Sequence, residues 1–412
     1  MPIYTVKTGT LSDSTAENKR NLARKSNGDL WCTYHRSDGT AVQIYCAYST
    51  DGGQTWTEEQ VTNNLFGGYG QWYPAIAIDS ADNIHVVWYG DGWGTDTWNL
   101  NIQYRKRTTS WQTQEAVTTD VTNDQIYPSI AIDSSNNVHV VWLGYGWGTN
   151  TNYANLQYRK RTTVWQDQEA ITDMNDEQSF PSIAIDSSNN VHVIWFGRGW
   201  GTYTNRWNIQ YRKRTTSWQT QEAVTDKNGW QWEPSIAIDS NNNVHVVWYG
   251  GETPSSIGNI QYRKRTTSWQ TQEAVTDKNA EQYCPSIAID VSNNVHVVWD
   301  GYGWGVNTSS DNIQYREKTT SWQTQVGITD RAYTQGYPSL IWASYPTVDG
   351  LKTNIPKTGY AFVWSGQDAT GYNVEYFASD DLSWETARHH RHHPTIPTEP
   401  NRGKVLSEMG SL

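Results

Sequence analysis

Phenylalanine, methionine and cysteine are scarce in this sequence: 5, 3 and 3 among 412 residues. So few cysteines exclude a disulfide-built fold, and Cys32, Cys46 and Cys284 lack the spacing of a zinc site. Three thiols cannot all pair. Cys32 and Cys46 could meet on neighbouring strands, but buried free thiols are the expectation. Positive charge is also in deficit, with 31 Lys and Arg against 42 Asp and Glu and a net charge of −11. That balance argues against nucleic-acid binding, which needs a basic face, and is compatible with neutral glycans. No apolar run is long enough to cross a bilayer, so membrane insertion is not expected. The opening MPIYTVKTGTLSDST has neither a basic nor an apolar signal-peptide region. The expected setting is extracellular or a virion, reached after removal of a leader or by another route such as a virus particle. No Ser–His–Asp set, phosphate loop or metal-spaced cysteine motif is present, so no catalytic residue, cofactor or metal is assigned.

In place of phenylalanine stand 24 Trp and 25 Tyr, aromatics with a polar handle that suit half-wet surfaces. They recur in a repeat: YPSIAIDSSNNVHVVW (127–142), a loop, then NLQYRKRTTVWQDQEAITD (155–173). The aspartate marker returns at Asp79, Asp133, Asp186, Asp239 and Asp290, a period of about 50 residues that fits propeller blades better than helical repeats. SIAID and VHVVW read as strands joined by a tight turn, with NIQYRKR and WQTQEAVTD as a second pair. Five clear copies and two divergent ones (from 20 to about 63, and about 337 to 386) predict an all-β, seven-bladed β-propeller of four-stranded antiparallel blades over 20–386. Residues 1–19 should supply a strand that closes the ring and hides a sheet edge. Residues 387–412 are polar and proline-rich, a tail whose composition is flexible. Self-assembly through it is possible, and its histidines read as a solvated run rather than metal ligands.

YSTDGGQTW (48–56) resembles the Asp-box of the sialidase-like, BNR-repeat superfamily, with Ser49, Asp51, Gly53, Thr55 and Trp56 matching its pattern. SDDLSW (379–384) and the TTSW turns look like shortened versions. The resemblance covers roughly 20–386 and implies a propeller in which this box is a structural turn between a blade's outer strands. Sialidases of that family use three arginines, a Tyr–Glu nucleophile pair and an aspartate, with the first arginine in an Arg-Ile-Pro motif. ENKRNLARKSNGDLW (17–31) carries Arg20 and Arg24 but no such motif, so the resemblance points to a non-catalytic member. The other arginines recur at equivalent positions (Arg105, Arg107, Arg159, Arg161, Arg212, Arg214, Arg263, Arg265) and read as a rim belt. Glu115, Glu169, Glu222 and Glu273 on the adjacent strand are their expected partners.

In a propeller, the loop between the second and third strands shares a face with the link to the next blade. GDGWGTDT, GYGWGTNT, GRGWGTYT and GYGWGVNT would therefore gather Trp93, Trp147, Trp200 and Trp304 near Trp72, Tyr127, Phe180, Trp230, Trp232 and Tyr283. Trp98 and Trp207 add a second ring to two of these loops, and the fifth blade replaces the motif with GGETPSSIG. Rings that stack on a pyranose, beside Asn, Asp and Thr for its hydroxyls, fit sugar recognition. The alternative is that each tryptophan wedges between blades. The histidines of VHVVW (His85, His139, His192, His245, His296) sit too far apart for a shared metal and read as hydrogen-bonded links between blades. The aspartates of AID read as turn caps.

The first functional reading is a multivalent, lectin-like carbohydrate-binding propeller, a viral or cell-surface adhesin whose partner is a glycan or polysaccharide. A structural virion or filament subunit is the second. A glycoside hydrolase or polysaccharide lyase is the third, and such an enzyme should break the repeat in one place. His35, Arg36, Arg331, Tyr333 and Asp368 are the asymmetric candidates.

Overall fold

A computed structural model describes residues 3–11, 15, 20–64, 70–92, 98–120, 122–345 and 357–379. Its strands form seven four-stranded sheets, each antiparallel, arranged as the blades of a β-propeller. Blade three is the template: Gln125–Ile132 innermost, then Val138–Gly144, Asn155–Arg161 and the short outer strand Glu169–Ala170. Blades two, four, five and six repeat it from inner strands Gln71–Ile78, Gln178–Ile185, Gln231–Ile238 and Gln282–Ile289. Blade one comprises Leu22–Arg24, Leu30–Ser37, Val42–Ser49 and Thr57–Gln60. Blade seven takes Gln335–Tyr345, Lys357–Asp368 and Gly371–Ala378 from the end of the chain, and Tyr4–Thr10 from its start as outer strand.

The second strand explains the packing. Along VHVVWLG, Val138, Val140 and Trp142 pack toward blade two, while Val141 and Leu143 pack toward blade four. Side chains alternate across a strand, so a sheet covered on both faces needs apolar residues on both. Such clusters fill the gaps between all adjacent blades, including the closing gap between blades seven and one. The buried Trp142 indole donates to Gln125 Oε1 (2.8 Å), and blades two, four, five, six and seven repeat the bond.

The five histidines have a hydrogen-bonded structural role, but within a blade rather than between blades. His139 bonds Tyr158 Oη through Nδ1 (2.8 Å) and Asp133 Oδ2 through Nε2 (3.1 Å), all in blade three. Asp133 also caps its turn, accepting from Ser135 N and Asn137 N (2.9 Å each). The arginine partners need the opposite correction. Arg161 holds both oxygens of Glu115 at 2.8 Å, and Glu115 belongs to the preceding blade. Arg107–Glu59, Arg214–Glu169 and Arg265–Glu222 do the same, so the belt stitches blades together. The guanidinium is long enough to span the gap, and its fork fits a carboxylate.

Cys32 and Cys46 are buried free thiols one register step apart, so they point to opposite faces of their sheet. In the turn from Ser49 to Trp56, Asp51 accepts from Gln54 N and Thr55 N (3.0 and 2.9 Å), and Gly53 N donates to Ser49 Oγ (2.8 Å). Trp56 donates to Gly53 O and lies edge-on to Tyr376 of blade seven, so this turn supports ring closure. Most of SDDLSW and all of 387–412 lie outside the described residues.

Candidate functional site

From blade two onward each inner strand begins opposite the end of the second strand (Gln125 opposite Gly144), so interblade links and second-to-third-strand loops emerge on one face. Just inside that face every inner strand from blade two onward carries a bulge. The residue before its proline has a positive φ: Tyr73, Tyr127, Phe180, Glu233, Cys284 and Tyr337, at 48 to 58°. Proline disfavours the right-handed helical region for the residue before it, and a non-glycine residue at positive φ is strained. The bulge absorbs one extra residue and re-aims the side chain.

In blades two to four the re-aimed side chains meet. Tyr73 lies edge-on to Tyr127 (5.2 Å), and Tyr127 stacks on Phe180 (4.3 Å). Tyr89 and Phe196, from the second strands, stack behind Tyr73 and Phe180. His35, Trp72 and Trp207 extend this arc, His35 edge-on to Trp72 (5.0 Å) and Trp207 edge-on to Phe196 (5.1 Å) beneath the Arg198 guanidinium.

Blades five and six depart from the pattern. Trp230, Trp232, Tyr249, Tyr283 and Tyr302 form a strip of consecutive ring contacts between 5.2 and 6.3 Å. Carboxylates lie along it. Glu233 replaces the pre-proline aromatic and accepts from Cys284 N (3.1 Å). Asp300 stands where other blades have Tyr89, Leu143 and Phe196, and accepts from Tyr337 N (3.1 Å). Glu281 accepts from Gly258 N (2.8 Å). Asp311 lies beside Tyr302, and burial raises its carboxyl above the usual aspartate range. Burial, together with Glu281, pushes Tyr283 up to about 12. Tyr249 is raised by burial and by Glu233 and Glu281. Arg20 reaches from blade one to the Ile183 carbonyl of blade four, and burial lowers its guanidinium to about 10.

The loop tryptophans lie farther out. Asp173, beyond the outer strand of blade three, accepts from Thr149 N and Asn150 N at 2.9 Å. Asp226 and Asp330 hold the loops of blades four and six in the same way. The glycines flanking Trp147 are needed for this: Gly146 and Gly148 have φ of 79° and 80°, and a Cβ on Gly148 would lie 2.9 Å from Asp173. The loops thus bend over their own outer strands, near the rim. Trp147 is 43% exposed and Trp98 72%. Trp200 and Trp304 are half-buried, with Trp304 against Gly327 of its own outer strand and Lys278 5.4 Å above its ring. Trp93 lies outside the described residues.

Trp72, Tyr127, Phe180 and Trp207 are therefore brought together in one arc, and Trp230, Trp232 and Tyr283 in another, while Trp147, Trp200 and Trp304 are not brought to either. Among the earlier asymmetric candidates, Arg36 is held by Glu58, Arg331 bonds Glu375 (2.6 Å), and Asp368 caps a hairpin turn. Tyr333 is 43% exposed. Sequence reasoning missed Glu233, Tyr249, Glu281, Asp300, Tyr302 and Asp311. The signal was available column by column across the repeats, where Glu233 replaces Tyr or Phe and Asp311 replaces Leu100, Ala154, Trp207 and Gly258.

No family model matches the chain, and no curated protein is similar to it in sequence. Its fold is shared with solved polysaccharide lyases and with a protein of unknown function. A PL25 ulvan lyase superposes with a TM-score of 0.60 at 10% identity, covering 91% of this chain and 94% of that one. Polysaccharide lyase Uly1 gives 0.53 at 10% identity, covering 87% and 88%. A protein of unknown function from Dyadobacter fermentans gives 0.51 at 10% identity, covering 75% and 94%. The similarity to these structures is one of fold.

Proposed function

We propose that the protein binds a neutral carbohydrate chain across the centre of its loop face. The supporting observation is the strip from Trp230 to Tyr302 with Glu233, Glu281, Asp300 and Asp311 beside it. Aromatic faces take the C–H face of a pyranose, and carboxylates accept from its hydroxyls. A uronate polymer would meet like charge at these carboxylates, and the nearby cations are engaged, Arg331 by Glu375 and Arg206 by the Trp230 ring (4.9 Å) and Asn228. Neutral sugars are therefore the better fit. The rim tryptophans Trp147, Trp200 and Trp304, with Trp93 in the corresponding loop, would add outer contacts to a repetitive glycan, which is the multivalent part of this reading. A cell-surface or virion adhesin is the setting it suits.

A glycan array with the intact protein tests this. Trp230→Ala and Trp232→Ala should weaken binding at least tenfold, and Trp147→Ala or Trp200→Ala by less, with folding intact in each. An array without any neutral ligand would overturn the reading, and particles that dissociate on removal of 387–412 would favour a structural subunit.

Hydrolysis of the bound glycan is the second reading. A half-buried carboxyl whose pKa is raised is equipped to act as a general acid toward a glycosidic oxygen, and Asp311 beside Tyr302 has that environment. Release of reducing ends, lost in Asp311→Asn while binding persists, would select it over simple binding.

A further inference from the structure

The repeat supplies its own control for a second site, on the face opposite the loops. In blades two to five the turn aspartate, the strand histidine and a lysine form a triad. The lysine lies directly across the strand pair from the histidine, as Lys106 does from His85. Its Nζ stands 3.5, 3.4, 3.3 and 3.2 Å from Asp79, Asp133, Asp186 and Asp239. A cation is thus built into the triad four times. From each of blades three to five an arginine also lies over the tyrosine of the preceding triad, as Arg161 does over Tyr104 at 5.5 Å.

Blade six keeps the aspartate and histidine but changes both cations. Glu317 occupies the lysine position, directly across from His296. Tyr360, from the second strand of blade seven, takes the arginine's place over the ring, stacked 4.4 Å from Tyr315. Two carboxylates and an imidazole now converge where every other copy has a carboxylate, an imidazole and an ammonium. One ligand atom from each of Asp290, His296 and Glu317 lies within 4.8 Å of the others. The His296 Nε2–Asp290 Oδ2 separation is 3.5 Å, against 3.0 to 3.1 Å in the lysine-bearing blades. Ligand pairs around a tetrahedral zinc, with bonds of about 2.0–2.2 Å, are separated by roughly this distance.

We infer that Asp290, His296 and Glu317 form a binding site for a divalent first-row metal of the zinc type, which supplies the positive charge that lysine supplies in the other blades. One nitrogen and two oxygen donors suit such an ion, whereas calcium prefers six to eight oxygens. Asp290 and Glu317 are half-buried, so solvent can complete the coordination, while His296 is buried. The histidine is fixed for the task. Its Nδ1 lies 2.7 Å from Tyr315 Oη. With the proton on Nδ1, donated to that oxygen, Nε2 presents its lone pair to the ion. The turn holds Asp290 through Ser292 N, Asn294 N and Asn294 Nδ2, at 2.8, 2.7 and 2.8 Å.

Zinc binding to the full-length chain tests this, in a background where His389, His390, His392 and His393 are changed to alanine so that the tail cannot compete. Chelator-stripped protein is titrated with ZnCl2 against a chromogenic chelator, and melting is followed with and without zinc. The parent should take up one equivalent and melt several degrees higher with it. Glu317→Lys, which restores the residue of four other blades and should fold, should lose that equivalent and the shift. Glu317→Gln should weaken binding at least tenfold. Equal zinc uptake by parent and Glu317→Lys, or no uptake by either folded protein, would overturn the proposal.

Discussion

At the scale of single residues, buried ionisable groups decide how this protein responds to pH. Burial lowers His85 and His139 to about 4, and it lowers His192, His245 and His296 as well. His85 faces Asp79, Tyr104, Lys106 and Arg161. These rings fold neutral, whereas an unfolded chain protonates them near pH 6.5. Between about pH 6.5 and 4 the unfolded state binds more protons, so stability must fall as pH falls through that window. Each pKa unit of separation corresponds to about 1.4 kcal/mol. Melting followed from pH 7.5 to 4.5 should therefore show Tm decline steeply, and His139→Gln should flatten the decline. Asp311 has the opposite sign, because its folded pKa is raised. Its burial costs stability as pH rises above its unfolded value. Asp311→Asn should stabilise the fold by about 1 kcal/mol at pH 7.5, read as a higher Tm.

Within an element, the decisive contact is the indole-to-amide bond that ties second strand to inner strand. Trp142 has no solvent exposure, and its Nε1 donates to Gln125, whose Nε2 donates in turn to Tyr145 O (3.1 Å). Gln125→Leu would leave a buried donor and a carbonyl unpaired. A loss of about 1–3 kcal/mol is expected in urea unfolding. The rim contact differs. Arg161 and Glu115 have side chains 21% and 33% exposed, so a double-mutant cycle should return a coupling of about 0.5–1 kcal/mol, reduced by salt. Blade boundaries were legible in the sequence because AID and VHVVW fix register and period in every copy. The partners of His139 and Arg161 were not, because a residue type in a repeat does not say whether its partner lies in its own blade or the one before. Repetition also drew attention to Trp147 and Trp304, whereas the asymmetric cluster rests on Glu233, Asp300 and Asp311, which are departures from repetition.

For the whole molecule, stability depends on closure. The outer strand Tyr4–Thr10 pairs with Gly371–Ala378, joining the two ends of the chain in one sheet. Lys7 also bonds Glu58 of blade one (2.9 Å). Removing residues 1–11 would expose a sheet edge and unfasten the gap between blades seven and one. The truncated protein should melt well below the parent and associate on size-exclusion chromatography, whereas loss of 387–412 should leave the melting of the ring unchanged.

The twisted residue before each inner-strand proline has a consequence for how this scaffold can diversify. Its conformation is set by the backbone bulge and the proline after it, and six side chains of four kinds (Tyr, Phe, Glu and Cys) occupy it in one chain. The axis therefore carries a row of interchangeable seats, each accepting an aromatic, an acid or a thiol with the surrounding sheet unaltered. Selection can rewrite what this face recognises one seat at a time, and the similar neighbouring blades provide ready templates for each exchange.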